Sequence, residues 1–207
     1  MANYLHQNDL PDGLSFGASV AVDSETMGLR HVRDRLCLIQ LSAGDGDCHL
    51  VQFPGPQAQL PYKAPNLVKL LTDPNVVKLF HFARFDVAAI KLYLGVDCTP
   101  VYCTKIASRL VRTFTDRHSL KDLCREFAGV DLSKQQQSSD WGAATLTPEQ
   151  LDYAASDVLY LHAIKAKLDA MLLREGRMEL AEACFRFLPA RAALDISGWA
   201  EDDIFAH

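Results

Sequence analysis

The chain has 207 residues, 49% of them hydrophobic, and a formal net charge of −5 at pH 7. That length and composition predict one globular domain with one core. The acidic balance argues against a protein that wraps long nucleic acid on a basic surface, because that mode of binding relies on many phosphate contacts. No apolar stretch approaches the ~20 residues that span a bilayer, and the first residues lack the basic and apolar regions of a signal peptide. We therefore expect a cytoplasmic protein that contacts no membrane.

The predicted elements begin with strands and continue with helices. Apolar runs bounded by turn residues, such as Gly44 and Gly46, predict three consecutive strands joined by hairpins, and a fourth strand follows later. A proline near the start of one segment and Gly95 just after another mark helix boundaries. The predicted strands are residues 19–22, 36–42, 48–53 and 76–80. The predicted helices are residues 64–71, 84–94, 104–111, 120–128, 148–168 and 177–187.

This order of elements predicts a mixed α/β fold, with a central sheet of three hairpin strands followed by parallel strands and with helices packed on it. The six cysteines lie far apart, without a C-x-x-C pair, and several fall in apolar runs. We therefore expect reduced thiols in the core rather than disulfides or a zinc site. They are Cys37, Cys48, Cys98, Cys103, Cys124 and Cys184.

Two acidic residues close the first predicted strand. Asp23 and Glu25 are two positions apart, so both side chains point to one face of the strand while Ser24 points to the other. Two carboxylates at the end of a strand favour a divalent metal, and the alternative is a solvated strand end. The D-x-E pair alone does not decide between them.

Two further acids lie in helical segments. Asp86 opens the predicted helix 84–94, where it would serve either as a metal ligand or as a partner of the helix dipole. Asp157 lies mid-helix beside small residues, and Tyr153, four positions earlier, shares its face of the helix. A carboxylate buried alone in an apolar element needs a partner or a metal. Four acids placed this way predict a divalent-metal site, and the neighbouring phenol suggests nuclease chemistry.

The segments around these acids resemble the three exonuclease motifs of the DEDD superfamily. DSE at 23–25, HFARFD at 81–86 and YAASD at 153–157 follow the order of that family. Tyr153, four residues before Asp157, is similar to the DEDDy class, whereas a sister class carries histidine five residues before the last acid, where this chain has Asp152. Residues 119–161 are similar to ribonuclease D along their length. The resemblance covers roughly residues 15–170 and implies a ribonuclease H-like fold.

The resemblance further implies a metal-dependent 3'-5' exoribonuclease that releases nucleoside 5'-monophosphates. Asp23, Glu25, Asp86 and Asp157 would bind two divalent cations, with Asp23 as the bridging ligand, and oxygen ligands favour Mg²⁺ or Mn²⁺. Tyr153 would hold the attacking water or take its proton. Residues 1–207 are expected to form a single 3'-5' exonuclease domain, with a catalytic core over about 15–170 and a helix and tail over 171–207.

Substrate contacts are predicted at positions that flank the acids. An apolar platform for a base is one interpretation of Met27 and Leu29, and ordinary packing is the other; Gly28 would allow a close backbone approach. Phe85 would stack on a base, whereas Trp141 is interpreted as structural. The predicted substrate-binding residues are Thr26, Met27, Gly28, Leu29, His81, Arg84, Phe85, Lys134 and Gln137.

Larger members of the ribonuclease D family continue into helical nucleic-acid-binding domains, which we do not expect here. The chain is closer to the short single-domain group called nanoRNase C, and this implies a homo-oligomer that acts on short RNA oligonucleotides, including dinucleotides. The tail 195–207 would pack on a neighbouring subunit or fold back on its own domain. Alternative functions are trimming of tRNA or other RNA 3' ends, 3'-5' exonuclease action on DNA ends and, from another class, nucleic-acid binding without catalysis.

Overall fold

The computed structural model describes residues 2–55, 59–133 and 135–207. These residues form strands first, then alternating helices and strands, and then a run of helices. The strands are β1 (Asn3–Gln7), β2 (Ser19–Thr26), β3 (Leu36–Ser42), β4 (Cys48–Gln52), β5 (Val77–Phe80) and β6 (Val101–Cys103). The helices are α1 (Pro65–Thr72), α2 (Arg84–Leu94), α3 (Thr104–Val111), α4 (Leu120–Phe127), α5 (Pro148–Leu159), α6 (Leu161–Arg174) and α7 (Met178–Leu194), and a π-helical turn, Asp195–Trp199, follows.

The strands join in one mixed sheet with the order β1-β4-β3-β2-β5-β6. β2, β3 and β4 are antiparallel neighbours, whereas β1, β5 and β6 run parallel to the strands that they adjoin. α5 packs on β2, β3 and β4, and β3 is buried along its whole length. The sheet flanked by helices confirms the predicted ribonuclease H-like fold. β2 therefore lies between the antiparallel strand β3 and the parallel strand β5.

Capping residues set the ends of the helices α2, α4 and α5. Thr147 and Gln150 form a capping box at the start of α5, in which each side chain accepts a hydrogen bond from the other residue's backbone N–H. Ser119 caps α4 by accepting a hydrogen bond from the Asp122 backbone N–H. Gly95 ends α2 in the left-handed conformation, with φ of 72°. These signals are visible in the sequence, and they explain why the predicted starts of α4 and α5 and the predicted end of α2 are confirmed.

Several predicted boundaries are wrong. β1 and β6 were not expected, because β1 is a short, exposed edge strand and β6 has three residues, too few for an alternating pattern. The predicted helix 148–168 is two helices, separated at Tyr160 without a glycine or proline to indicate the break. Asp157 consequently lies in the last turn of α5 rather than mid-helix. The predicted helix 177–187 extends to Leu194 and contains Pro189.

The cysteine prediction is confirmed, since all six thiols are free and five of them are buried.

No helix in the described ranges is long and apolar enough to cross a bilayer.

Candidate metal centre

Three carboxylates meet where β2 ends beneath α5. Asp23 and Glu25 come from β2, Asp157 comes from the last turn of α5, and one carboxylate oxygen from each lies within 4.8 Å of the other two. The alternation of the strand and the packing of α5 on β2 bring the three together. An all-oxygen set of this kind fits a hard cation such as Mg²⁺, Mn²⁺ or Ca²⁺.

Asp86 lies beside this cluster but is held differently. It sits in the first turn of α2, is 3% exposed, and accepts a 2.6 Å hydrogen bond from the Ser24 hydroxyl. Ser24 lies between Asp23 and Glu25 on β2 and lines the same cleft as both acids. The three-carboxylate group therefore does not include Asp86, and its role as a metal ligand stays a prediction.

The acids oppose one another's ionisation. Burial, followed by the charges of Asp86, Asp157 and Glu25, raises the pKa of Asp23 well above its usual range. Burial and then Asp157 and Asp86 raise the pKa of Glu25 to about 9. Burial raises the pKa of Asp86 to about 7 and that of Asp157 to about 7. Ionised carboxylates this close and this buried require a compensating positive charge, so the residues present fit a divalent cation.

Gln40 holds one of the carboxylates in place and was missed in the sequence. It stands opposite Asp23 in the β2–β3 register, is fully buried, and donates from Nε2 to Asp23 Oδ2 at 2.9 Å. Its Oε1 has no hydrogen-bond partner among the described residues. A glutamine in an apolar strand was the available signal, since a buried amide needs a polar partner.

Tyr153 lies one turn before Asp157 and lines the same cleft. Burial raises the pKa of this phenol above its usual range, and the charges of Asp157, Glu25 and Asp23 raise it further. The hydroxyl therefore stays protonated at neutral pH. Its ring lies 6.0 Å from that of Trp141, which is 3% exposed, as expected for a structural tryptophan.

The acids form the floor of a cleft of about 310 Å³. Its walls include His81 and Gln137, both predicted, together with several residues that the sequence did not suggest. Phe82, 44% exposed, adopts φ of 67° and lies under the Lys105 ammonium at 4.3 Å from the ring centroid. Left-handed backbone is costly for a bulky residue, so the surrounding structure holds this ring at the cleft. The lining residues not predicted are Phe82, Lys105, Ser119, Lys121 and Ser133, among others.

The segment after Glu25 is only partly open to a substrate. The Thr26 hydroxyl donates to the Gly28 carbonyl, and a Cβ at Gly28 would lie 2.5 Å from Asp34 Oδ2. Gly28 is thus required by the Asp34 side chain of its own loop. Met27 and Leu29 are 57% and 84% exposed, which leaves both available as apolar platforms.

Arg84 and Phe85 face a second hollow of about 280 Å³, which Phe82 and Leu29 also line. The Arg84 guanidinium donates to both carboxylate oxygens of Asp195, at 2.6 and 2.8 Å. The Phe85 ring packs on the His31 ring at 4.4 Å between centroids. Substrate contacts by these two residues stay predictions, as does one by Lys134, which lies outside the described residues.

His81 lines the cleft next to the acids, one residue after β5. Its Nδ1 lies 2.9 Å from the hydroxyl of Thr104. Burial and, to a smaller extent, the charge of Lys105 lower the pKa of His81 to about 3, so the ring is neutral at physiological pH.

Comparison with known proteins identifies the family of this chain. A family model described as 3'-5' exonuclease matches residues 7–173. Ribonuclease D of Granulibacter bethesdensis is 34% identical over 160 residues, which are 77% of this chain and 39% of that protein. The chain thus spans about two fifths of the length of the curated relatives that head the comparison.

Solved structures extend the similarity to the whole chain. The structure of Brucella melitensis NrnC with bound Mg²⁺ is 52% identical, with a TM-score of 0.93 and 100% of each chain covered. The structure of Brucella melitensis NrnC bound to pGG is 53% identical, with a TM-score of 0.94 and coverage of 100% of this chain and 99% of the other.

Proposed function

Because this chain belongs to the 3'-5' exonuclease family, we propose that it is a divalent-cation-dependent exoribonuclease that hydrolyses short RNA, including dinucleotides, to nucleoside 5'-monophosphates. The observation that carries the proposal is the group of three carboxylates within 4.8 Å of one another, on the floor of a cleft that Tyr153 borders. Mg²⁺ and pGG in the Brucella melitensis NrnC structures support the cation and the short substrate.

The acids would hold the cations. Asp23, Glu25 and Asp157 offer converging oxygens, and Asp86, which is hydrogen-bonded to Ser24, would complete the set of four that holds two Mg²⁺ or Mn²⁺ ions. Such ions, when bound, stabilise the attacking and leaving oxygens of an in-line displacement at phosphorus. Gln40 orients Asp23 by its hydrogen bond, and a partner of this kind fixes a ligand's geometry.

Tyr153 would position the attacking water by hydrogen bonding. Removing the water's proton is a poor role for it, because burial and the neighbouring carboxylates raise the pKa of the phenol and a group with a high pKa stays protonated at pH 7.

The cleft supports a short substrate. Its volume of about 310 Å³ is at the lower end of the range for small-ligand sites. Lys105 and Lys121 supply positive charge for phosphate on an otherwise acidic protein. Met27 and Leu29, both exposed, would contact bases beside the cleft, and Gln137, which lines the cleft, would contact phosphate or sugar.

The relationship to ribonuclease D supports a second candidate, trimming of longer RNA from the 3' end. Both candidates use the same acids and differ in the length of RNA that is preferred. We further propose a homo-oligomer. Trp199, Ile204 and Phe205, three large apolar side chains within seven residues of the tail, are 45%, 48% and 74% exposed, and burial against a second copy would remove them from water.

The proposed function is tested by cleavage of a 5'-labelled RNA series from two to about twenty nucleotides, with Mg²⁺, Mn²⁺ or EDTA. We expect dinucleotides to disappear fastest and only with the metal. Accumulation of dinucleotides from long RNA would favour the trimming candidate, and DNA cut as fast as RNA would favour a DNA exonuclease. If no length is cleaved with either metal, the chain is a binding module. Asp23→Asn serves as the inactive control.

A further inference from the structure

His81 carries a hydrogen-bonding arrangement that the metal chemistry does not require. The Thr104 hydroxyl lies 2.9 Å from His81 Nδ1 and donates its own proton to the Phe80 carbonyl at 3.1 Å. A threonine hydroxyl has one proton and otherwise accepts. The bond to Nδ1 must therefore be donated by the histidine, and a neutral ring that carries its proton on Nδ1 has a lone pair on Nε2.

The Nε2 edge of the His81 ring faces the cleft. Thr104 is fully buried in the first turn of α3, so the Nδ1 edge of the ring faces the core. His81 itself is half-buried and lines the cleft together with Asp23, Phe82 and Lys105. β2 and β5 run parallel with Ala21 beside Leu79, and continuing this register by two residues brings His81 beside Asp23. No hydrogen bond to Nε2 forms within the described part of the chain.

A lone pair at this position selects among the groups of a nucleotide. Phosphate oxygens only accept hydrogen bonds and would be repelled by it. Base N–H groups differ from one nucleotide to the next, and the terminal 3'-hydroxyl is a donor that RNA and DNA share. A ribose 2'-hydroxyl is a donor common to every ribonucleotide and absent from DNA. The neighbours are consistent with a sugar here, since Lys105 is suited to a phosphate and the exposed Phe82 ring to a base.

We infer that His81 Nε2 accepts a hydrogen bond from a ribose 2'-hydroxyl of the substrate, so that the Thr104–His81 pair is a determinant of the preference for RNA over DNA. The inference rests on the proposed nuclease function and adds to it a specificity-determining residue. A site built to bond a hydroxyl rejects an analogue without one, because its polar group is then left unpaired.

The test compares kcat/KM for a ribodinucleotide and for the matching 2'-deoxyribodinucleotide, with Mg²⁺. We expect the wild type to prefer the ribodinucleotide by roughly tenfold or more. His81→Leu, which removes the acceptor, should lower kcat/KM for the ribodinucleotide about tenfold and leave the value for the deoxy substrate within about twofold. His81→Gln, whose amide oxygen can replace the acceptor, should recover part of the preference.

Thr104→Val tests the tautomer. Without the threonine oxygen the proton is no longer held on Nδ1, and we expect the preference to fall while the catalytic acids stay in place. Thr72→Val is the matched control, since the Thr72 hydroxyl bonds only its own helix, at Val68 and Lys69, on the exposed side of α1. It should leave both rates unchanged.

An equal fall of both rates in His81→Leu would overturn the inference, as would a wild type with no preference for the ribodinucleotide. If His81→Leu does not fold, Thr104→Val decides, and a wild-type ratio in that variant rejects the assignment. Failure of the nuclease function itself looks different, because the wild type would then hydrolyse neither dinucleotide.

Discussion

At the scale of single residues, Glu25 combines a strong effect on function with an unfavourable effect on stability. Its pKa of about 9 reflects burial and the charges of Asp157 and Asp86. We expect Glu25→Gln to lower exonuclease activity at least 100-fold, because a neutral amide is a weak ligand for a divalent cation. In EDTA at pH 8 the same variant should be more stable by about 1–2 kcal/mol, or roughly 2–8 °C in Tm, since glutamine avoids the cost of keeping an acid protonated far above the pH of about 4 at which it ionises in the unfolded chain.

Activity assays and thermal melts check both halves of this prediction. Glu179→Gln, at an exposed position of α7, is the matched control and should change neither. A Glu25→Gln variant with wild-type activity would contradict the metal site.

Tyr153 should matter for rate and little for metal binding. We expect Tyr153→Phe to lower kcat about 10- to 100-fold, because the ring remains packed near Trp141 while the hydroxyl that positions water is lost. Mn²⁺ affinity, measured by titration calorimetry, should change less than about threefold. An unchanged kcat would remove Tyr153 from the mechanism.

Single residues also define what the sequence could predict at the site. The acids and Tyr153 are recognisable because their spacing on a strand and a helix fixes which face each side chain occupies. The sequence did not indicate Gln40, Phe82 or Lys105 as residues of the site. The position of Gln40 depends on strand register, that of Phe82 on a left-handed backbone, and that of Lys105 on the placement of a helix. Those features arise only when distant segments pack.

At the scale of elements, the β2–β3 register makes Gln40 a positioning residue for Asp23. We expect Gln40→Leu to weaken Mg²⁺ or Mn²⁺ affinity about 10- to 100-fold, the usual effect of losing a ligand's hydrogen-bond partner. Folding should be nearly unaffected, because Gln40 Oε1 has no partner within the described residues and leucine has a similar volume. Titration calorimetry with Mn²⁺ measures the change.

Gln7→Leu, on the exposed edge strand β1, provides the control for this substitution. Affinity in Gln40→Leu equal to that in the control would show that Asp23 needs no orienting donor.

Some helices and strands could be predicted from the sequence more accurately than others. Helices with side-chain caps, such as α4 after Ser119 and α5 after Thr147, were predicted at the correct first residue. The break at Tyr160 and the strands β1 and β6 were missed, because tertiary pairing rather than local preference creates them. The sequence also did not predict where the tail, residues 195–207, would pack. Its start is fixed by Asp195, which accepts hydrogen bonds from Arg84 and Arg191.

At the scale of the whole molecule, stability should depend on pH through the acidic cluster. The folded-state pKa values of about 7 for Asp86 and Asp157 and about 9 for Glu25 exceed the values of about 4 expected in the unfolded chain. The fold therefore favours the protonated acids, and their stabilising contribution is lost as pH rises through the folded-state values.

We accordingly expect Tm in EDTA to fall as pH increases from about 5 to 9, and Mg²⁺ to reverse the fall because the ionised acids then have a counter-charge. Thermal melts across this range, with and without Mg²⁺, measure it. Glu25→Gln should flatten the upper part of the decline, and a metal-free Tm that is constant or rises over this range would contradict the assigned protonation states.

The whole molecule is acidic, with a net charge of −5, yet Lys105 and Lys121 line the same cleft as the carboxylates. From the net charge, we predicted that the protein binds nucleic acid at a local site rather than along an extended basic surface. The fold class was equally accessible from the order of strands and helices, whereas the shape of the cleft depends on packing that no local pattern encodes.

Hydrolysis by water at the terminal phosphodiester is tested by mass spectrometry of the products from a ribodinucleotide cleaved with Mg²⁺ in ¹⁸O-labelled water. We expect one ¹⁸O in the phosphate of a released nucleoside 5'-monophosphate, an unlabelled partner, and no reaction in EDTA or with Asp23→Asn. A 2',3'-cyclic phosphate or a 3'-phosphate product, or cleavage that persists in EDTA, would contradict it.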